Sequence, residues 1–183
     1  VLIFFFFFTT ASAEILSADP SVGEYEVGKR LQYLEDVNSK LAVSDVIAPY
    51  WQSKFRPHRR DVANFGFTQS SYWFKLSLSN PTNLEKAWIL EARYPMLDRL
   101  DVYLVRDGKV LGHRLSGDSL PFAQREFKHR NLGFTLALAP QDQLDVYLRV
   151  KTESSLQLPL HLLTPERFLE RDQSEQYLFG LYY

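Results

Sequence analysis

LDVYLRVK, residues 144–151, sets Leu144, Val146, Leu148 and Val150 at every second position, with Asp145, Tyr147, Arg149 and Lys151 between them. A strand turns successive side chains to opposite faces, so this spelling predicts a half-buried strand with one apolar and one polar side. The period recurs in both directions along the chain. Tyr72, Phe74, Leu76 and Leu78 alternate with Trp73, Lys75 and Ser77; Trp88, Leu90, Ala92 and Tyr94 with Ile89, Glu91 and Arg93; Leu100, Val102 and Leu104 with Asp101, Tyr103 and Val105. Leu132 to Leu138 and Leu156 to Leu162 repeat the pattern, and Leu31 to Glu35 reads as an earlier strand. Asp107-Gly108 predicts a two-residue hairpin onto Lys109 to Leu115, and Asn80-Pro81, Ser116-Gly117-Asp118 and Ala139-Pro140 mark further turns. Two short helices are expected, one capped by Ser44 and ended by Pro49, the other capped by Thr164 with Pro165 in its first turn. About eight strands with so few helices predict an all-β fold, a two-sheet antiparallel sandwich of the jelly-roll kind.

Composition narrows the function. The chain has 183 residues, 45% of them hydrophobic and 15% aromatic, which suits one packed domain and excludes a disordered chain. With 21 basic against 22 acidic side chains, the formal charge of -1 leaves no broad basic field for nucleic acid. There is no cysteine, so disulfides, thiolate metal sites, iron–sulfur clusters and a cysteine nucleophile are excluded. His58, His113, His129 and His161 are too far apart in sequence to form a metal-binding pair on one element. No serine-nucleophile elbow, zinc helix, phosphate loop or dinucleotide glycine pattern is present, so the expected role is not enzymatic.

Both ends suggest export. VLIFFFFF is followed by Ala11-Ser12-Ala13, an apolar run with a small-residue cleavage site, so residues 1–13 read as the remnant of a signal peptide; a buried strand is the other reading. An exported chain without cysteine suits a bacterial periplasm. The only methionine is Met96, so the chain reads as a fragment lacking its start. At the other end QYLFGLYY, residues 176–183, is shorter than the roughly 20 apolar residues of a membrane span. It reads either as the first turns of a truncated span, with Tyr177, Tyr182 and Tyr183 at the interface, or as a docked helix. Residues 14–30 are then an N-terminal extension, 31–172 the sandwich, and 173–183 a linker with the start of the span.

Two places invite binding. Trp73, Tyr103 and Tyr147 fall on the polar faces of their strands beside Lys75 and Arg149, an arrangement that forms a platform for a flat or ring-shaped ligand if it is open, or a packed surface if a loop, helix or partner covers it. The connection 117–131 carries Asp118, Arg125, His129 and Arg130, where guanidinium groups would match a carboxylate or phosphate, or simply pair with Asp118 and Glu126. Asp61, Asp98 and Asp118 are oxygen donors suited to calcium, although no dedicated calcium loop is visible.

The ordered blocks YWFKLSLSNP (72–81), WILEARYPMLDRLDVYL (88–104), GDSLPFAQREFKHRN (117–131) and LDVYLRVKTESSLQLPLHLLTPERF (144–168) resemble the second type of extracellular sensor domain in bacterial seven-transmembrane receptors with diverse intracellular signalling modules. The matching positions are Trp73, Tyr94, Asp98, Tyr103, Gly117, Asp118, Phe122, Arg125, Arg130, Ser154 and Ser155. The resemblance implies a fold like that of carbohydrate-binding modules, a place on the periplasmic side of the inner membrane, and a tail entering the first of seven helices. It also implies control of a cytoplasmic histidine kinase or diguanylate cyclase. Expected partners are a small ligand (a sugar, amino acid or carboxylate) or calcium, the receptor's own membrane domain, and a second copy or another periplasmic sensor domain, but no nucleic acid. Ligand contact is expected at Trp73, Lys75, Tyr103, Asp118, Arg125, Arg130, Tyr147 and Arg149. The rival expectations are an interaction or dimerisation module without a small ligand, and a carbohydrate-binding module of a secreted enzyme.

Overall fold

The computed structural model describes residues 14–180, and side chains through Ser174. The signal-peptide remnant expected at 1–13 and the interfacial tyrosines expected in the tail lie outside the described side chains. Along the chain run β1 (Leu16–Ser17), β2 (Glu24–Glu26), β3 (Gln32–Asp36), the single-turn helices α1 (Val43–Val46) and α2 (Pro49–Gln52), β4 (Arg56–Pro57), β5 (Ala63–Phe67), β6 (Ser71–Ser79) and β7 (Lys86–Ala92). There follow β8 (Arg99–Arg106), β9 (Lys109–Ser116), β10 (Leu132–Leu138), β11 (Gln143–Lys151), β12 (Ser155–Leu158), β13 (Leu160–Leu163) and the helix α3 (Pro165–Gly180).

These strands make the expected antiparallel sandwich. One layer has the order β4-β3-β6-β11-β8-β9, with β1 added in parallel to β6; the other is β10-β7-β13-β2. From β6 through β8, and again from β10 through β13, the chain crosses between layers repeatedly, the wrapping of a jelly roll. Alternation decides what goes inside. Phe74, Leu76, Leu78, Val102, Val146 and Leu148 from the first sheet are buried against Trp88, Leu90, Phe134, Leu136 and Leu162 from the second. Each such side chain contributes about 1.5–3 kcal/mol relative to exposure. Asp107 and Gly108 take φ of 50° and 72°, the left-handed pair that a tight hairpin needs, and join β8 to β9.

Four expectations are corrected. Residues 14–30 are part of the sandwich: Ala18 and Val27 are buried in its core, and β2 is an edge of the smaller sheet. The alternation from Leu156 to Leu162 belongs to two strands. Pro159 has no N–H to give a ladder, so the chain breaks there; β12 pairs with β5 while β13 pairs with β7 and β2. Pro49 begins α2 instead of ending α1, and α1 starts at Val43, where the Asp45 carboxylate accepts the Ala42 N–H at 2.8 Å; Ser44 lies inside it. The boundary placed at 172 falls within α3, which is continuous to Gly180. Among the described residues no helix is long and apolar enough to cross a membrane.

Candidate functional site

Cross-strand register puts Trp73 opposite Arg149, Lys75 opposite Tyr147, and Tyr147 opposite Tyr103 on the outer face of the larger sheet. The polar-face assignment therefore holds, but the open platform does not. Residues 37–55, between β3 and β4, fold back across this face as a flap and seal it. Trp73 and Tyr147 are buried there with Leu34, Val46, Phe55 and Val105, forming a second small core. Buried Asp36 fixes the flap's start by accepting the Lys40 and Leu41 N–H groups at 3.1 and 2.9 Å. Ser71 donates to the Ser39 hydroxyl at 2.9 Å, and Arg149 to the Ser39 carbonyl at the same distance.

The two cations of the presumed platform are thus occupied with structure. Lys75 lies 3.0 Å from Asp145, donates to Gln52 at 3.1 Å and sits over the Tyr147 ring at 5.5 Å. Burial works against its charge, but Tyr147 and Asp145 more than offset that and raise its pKa, while burial also raises that of the Tyr147 phenol. Only Tyr103 keeps a half-exposed ring, stacked between Trp73 at 5.7 Å and His113 at 4.4 Å.

Asp118 and Arg125 form a separate corner where β9 leaves for β10. Gly117 has φ of 149°, and a Cβ there would stand 2.1 Å from the Asp98 carbonyl oxygen, so only glycine fits. The Asp98 carboxylate accepts the Thr152 hydroxyl at 3.2 Å, and Ser154 donates to the Met96 carbonyl at 2.9 Å. Arg125, nearly buried, donates to the Gly117 carbonyl at 3.2 Å and lies 3.7 Å from Asp118. These family-matching residues tie three connections together. Arg130 is exposed in the same connection, beyond that knot. The calcium grouping is not assembled: Asp61 pairs with Lys29 at 2.7 Å in another connection, and among the described residues no cluster of three or more acidic or histidine side chains could hold a metal.

The smaller sheet is covered by a different kind of lid. Thr164 caps α3, accepting the Arg167 N–H at 3.3 Å, with Pro165 in the first turn. Four-residue spacing then aligns Arg167 with Arg171 and Phe168 with Asp172. Glu91 on β7 is completely buried beneath them, yet every oxygen is engaged. Its carboxylate pairs with Arg93 at 3.0 Å, accepts Asn131 at 2.8 Å and receives Arg171. Glu24 on β2 meets Arg93, Arg171 at 3.4 Å, Arg167 at 3.4 Å and His161 at 3.2 Å. His129 joins Asp172 at 3.1 Å. Phe168 supplies an apolar anchor, against Ile89, Leu163 and Phe127. Burial, then Arg93, pushes the His161 imidazole below its ordinary pKa, against the smaller opposing pull of Glu24, Glu26 and Glu91.

A further feature escapes the sequence reading. Beyond the flap, two adjoining clefts of about 500 and 310 Å³ share Tyr33 and Phe65 as their common wall. The signal for them is KFRPHRR, residues 54–60, a cationic run on the edge strand β4, which is denser in arginine than the 117–131 connection.

No curated protein matches the sequence. Among solved structures the chain is similar to a family 31 α-xylosidase from Xanthomonas citri, with 12% identity over 73% of this chain and a TM-score of 0.29; it spans 16% of that enzyme's length. The profile of the family described as 7TMR-DISM extracellular 2 matches residues 28–164. Those limits run from the turn entering β3 to the cap of α3, taking in β3 through β13, the flap and the glycine-pinned corner but not β1 and β2, and the chain belongs to this family of extracellular receptor domains.

Proposed function

We propose that the chain is the periplasmic ligand-sensing domain of an inner-membrane receptor that controls a cytoplasmic histidine kinase or diguanylate cyclase. The observation that carries this reading is the attachment of α3. The segment leading out of the sandwich is held through the buried carboxylate of Glu91. A ligand shifts a receptor only by its preference for one of two states, and inverting a 1:99 population takes about 5.5 kcal/mol. Breaking a buried ion pair costs about 3–5 kcal/mol, so release or tightening of α3 is on the required scale. An apolar lid of the same size would have no charge to redistribute.

Extending the gene sequence past Tyr183 tests the reading. The expected result is a set of membrane-spanning segments followed by a kinase or cyclase module. A soluble glycosidase module in that place would overturn it in favour of a carbohydrate-binding appendage.

A further inference from the structure

The geometry points to the paired clefts beside β4 as the binding site for an organic anion that carries a planar ring. The inference deepens the sensor reading by naming the ligand class, and it rests on that reading only for the consequence of binding.

β4 pairs with Gln32 and Tyr33 alone, so the outer edge of β3 loses its neighbour strand at Leu34, and the larger cleft opens there. Its apolar wall is aromatic. Phe65 stacks on Tyr72 with centroids 4.2 Å apart and meets Tyr33 at 5.1 Å, while Trp51 of the flap closes the far side. A flat ring fits such a wall by offset stacking.

The rim is cationic, with four positive side chains against one carboxylate, Glu35. Lys54 and Arg56 line the larger cleft, and Arg59 and Arg60 the smaller. Among the described residues none of these four has a carboxylate within ion-pair distance. Glu35, the acid in the larger cleft, is held by the Ser70 hydroxyl, which donates to it at 2.7 Å without cancelling its charge, so one carboxylate stands against Lys54 and Arg56 there. Like charges crowded into seven residues repel one another, and an anion bound between them relieves that repulsion. Guanidinium groups receive carboxylate and phosphate alike.

The rim is also held in place. His58, buried between the arginines, donates its N–H to Leu31 at 2.8 Å and brings its ring Nδ1 to the Gly28 carbonyl at 2.9 Å. Gly28 passes so close that a Cβ would lie 1.8 Å from the Asp61 carbonyl oxygen, and Lys29 holds the Asp61 side chain at 2.7 Å. With His58 and Asp61 tied down, Arg59 and Arg60 are directed outward from a fixed loop. A charged, proline-bearing edge also guards a sheet against pairing with other chains, and that simpler role predicts no selectivity for rings.

Titration calorimetry of the purified chain separates the two. The probes are 4-hydroxyphenylacetate and phenyl phosphate, which distinguish carboxylate from phosphate, with cyclohexylacetate and inorganic phosphate as controls. At least one ring-bearing probe is expected to bind at least about tenfold more tightly than its ringless control. Arg56→Gln, exposed and outside both cores, is expected to weaken it by about tenfold or more, with Phe65→Leu removing the ring preference. Absence of binding up to about 10 mM, equal binding of ring and ringless anions, or indifference to Arg56→Gln overturns the site. None of these results bears on the gene's continuation, so the site and the receptor reading can fail separately.

Discussion

The two sheets of this sandwich both have covered outer faces, but packing and charge are weighted differently in the two lids. On the larger sheet a flap seals Trp73 and Tyr147 into a buried aromatic layer. On the smaller sheet α3 is held by Glu91, Glu24, Arg93, Arg171 and His161, with Phe168 as its apolar anchor. The sheet's cations meet only neutral groups of the flap, the Ser39 carbonyl and the Gln52 amide, whereas α3 brings Arg167 and Arg171 onto two carboxylates that other cations share. The first lid is held mainly by packing, and the second by charges whose partners can be redistributed.

Breaking the aromatic lid is expected to have the largest effect. Trp73→Ala removes the centre of the second core and should cost about 3–5 kcal/mol in urea denaturation, while the Glu91 contacts to α3 persist. Next comes the ionic lid: Glu91→Gln keeps the shape but leaves Arg171 and Arg93 short of a counter-charge, an expected loss of about 3 kcal/mol, the lower end of the range for a buried pair because both arginines keep some contact with water. A smaller, pH-dependent term sharpens the contrast. The folded-state pKa of His161 lies below its unfolded value. Between the two the unfolded chain binds more protons, so stability should fall as pH drops below the unfolded value near 6.5. One such group gives a slope of at most about 1.4 kcal/mol per pH unit, and His161→Gln should flatten the thermal-melting profile there. Least of all, Arg167→Ala removes a half-exposed arm of the lattice and should cost no more than about 1 kcal/mol.

The sandwich was legible because its strands obey period two, and a face assignment needs nothing more. Trp73, Tyr103 and Tyr147 were placed on the correct side of their strands by that rule. What covers a face is another matter. The flap has two single-turn helices and an irregular path from Val37 to Phe55, so no periodicity announces that Val46 and Phe55 will close over Trp73. Pro159 shows the converse limit, since extended backbone keeps its alternation while changing sheets. Glu91 sits on the polar side of its strand as expected, but its burial depends on α3, whose Arg171 lies 80 residues further along the chain. The cationic run at 54–60 carries no periodic signal of its own, because β4 is only two residues long and what makes it a rim is the cleft that opens beside it. Among the matching positions, Asp118 and Arg125 are expected to contact ligand and Asp98 to offer calcium an oxygen, with Gly117 in a turn; the structure makes Asp98, Gly117 and Arg125 parts of one knot, with Asp118 at its margin.

The central claim is that the buried charges around Glu91, acting beside the Phe168 anchor, hold α3 to the sandwich. Amide hydrogen exchange in Glu91→Gln, compared with the parent protein, tests it most directly. The expected result is loss of protection by about tenfold or more across residues 165–174, with protection in β6 and β11 beneath the flap unchanged. Unaltered protection of α3, or equal loss beneath the flap and in α3, would contradict it.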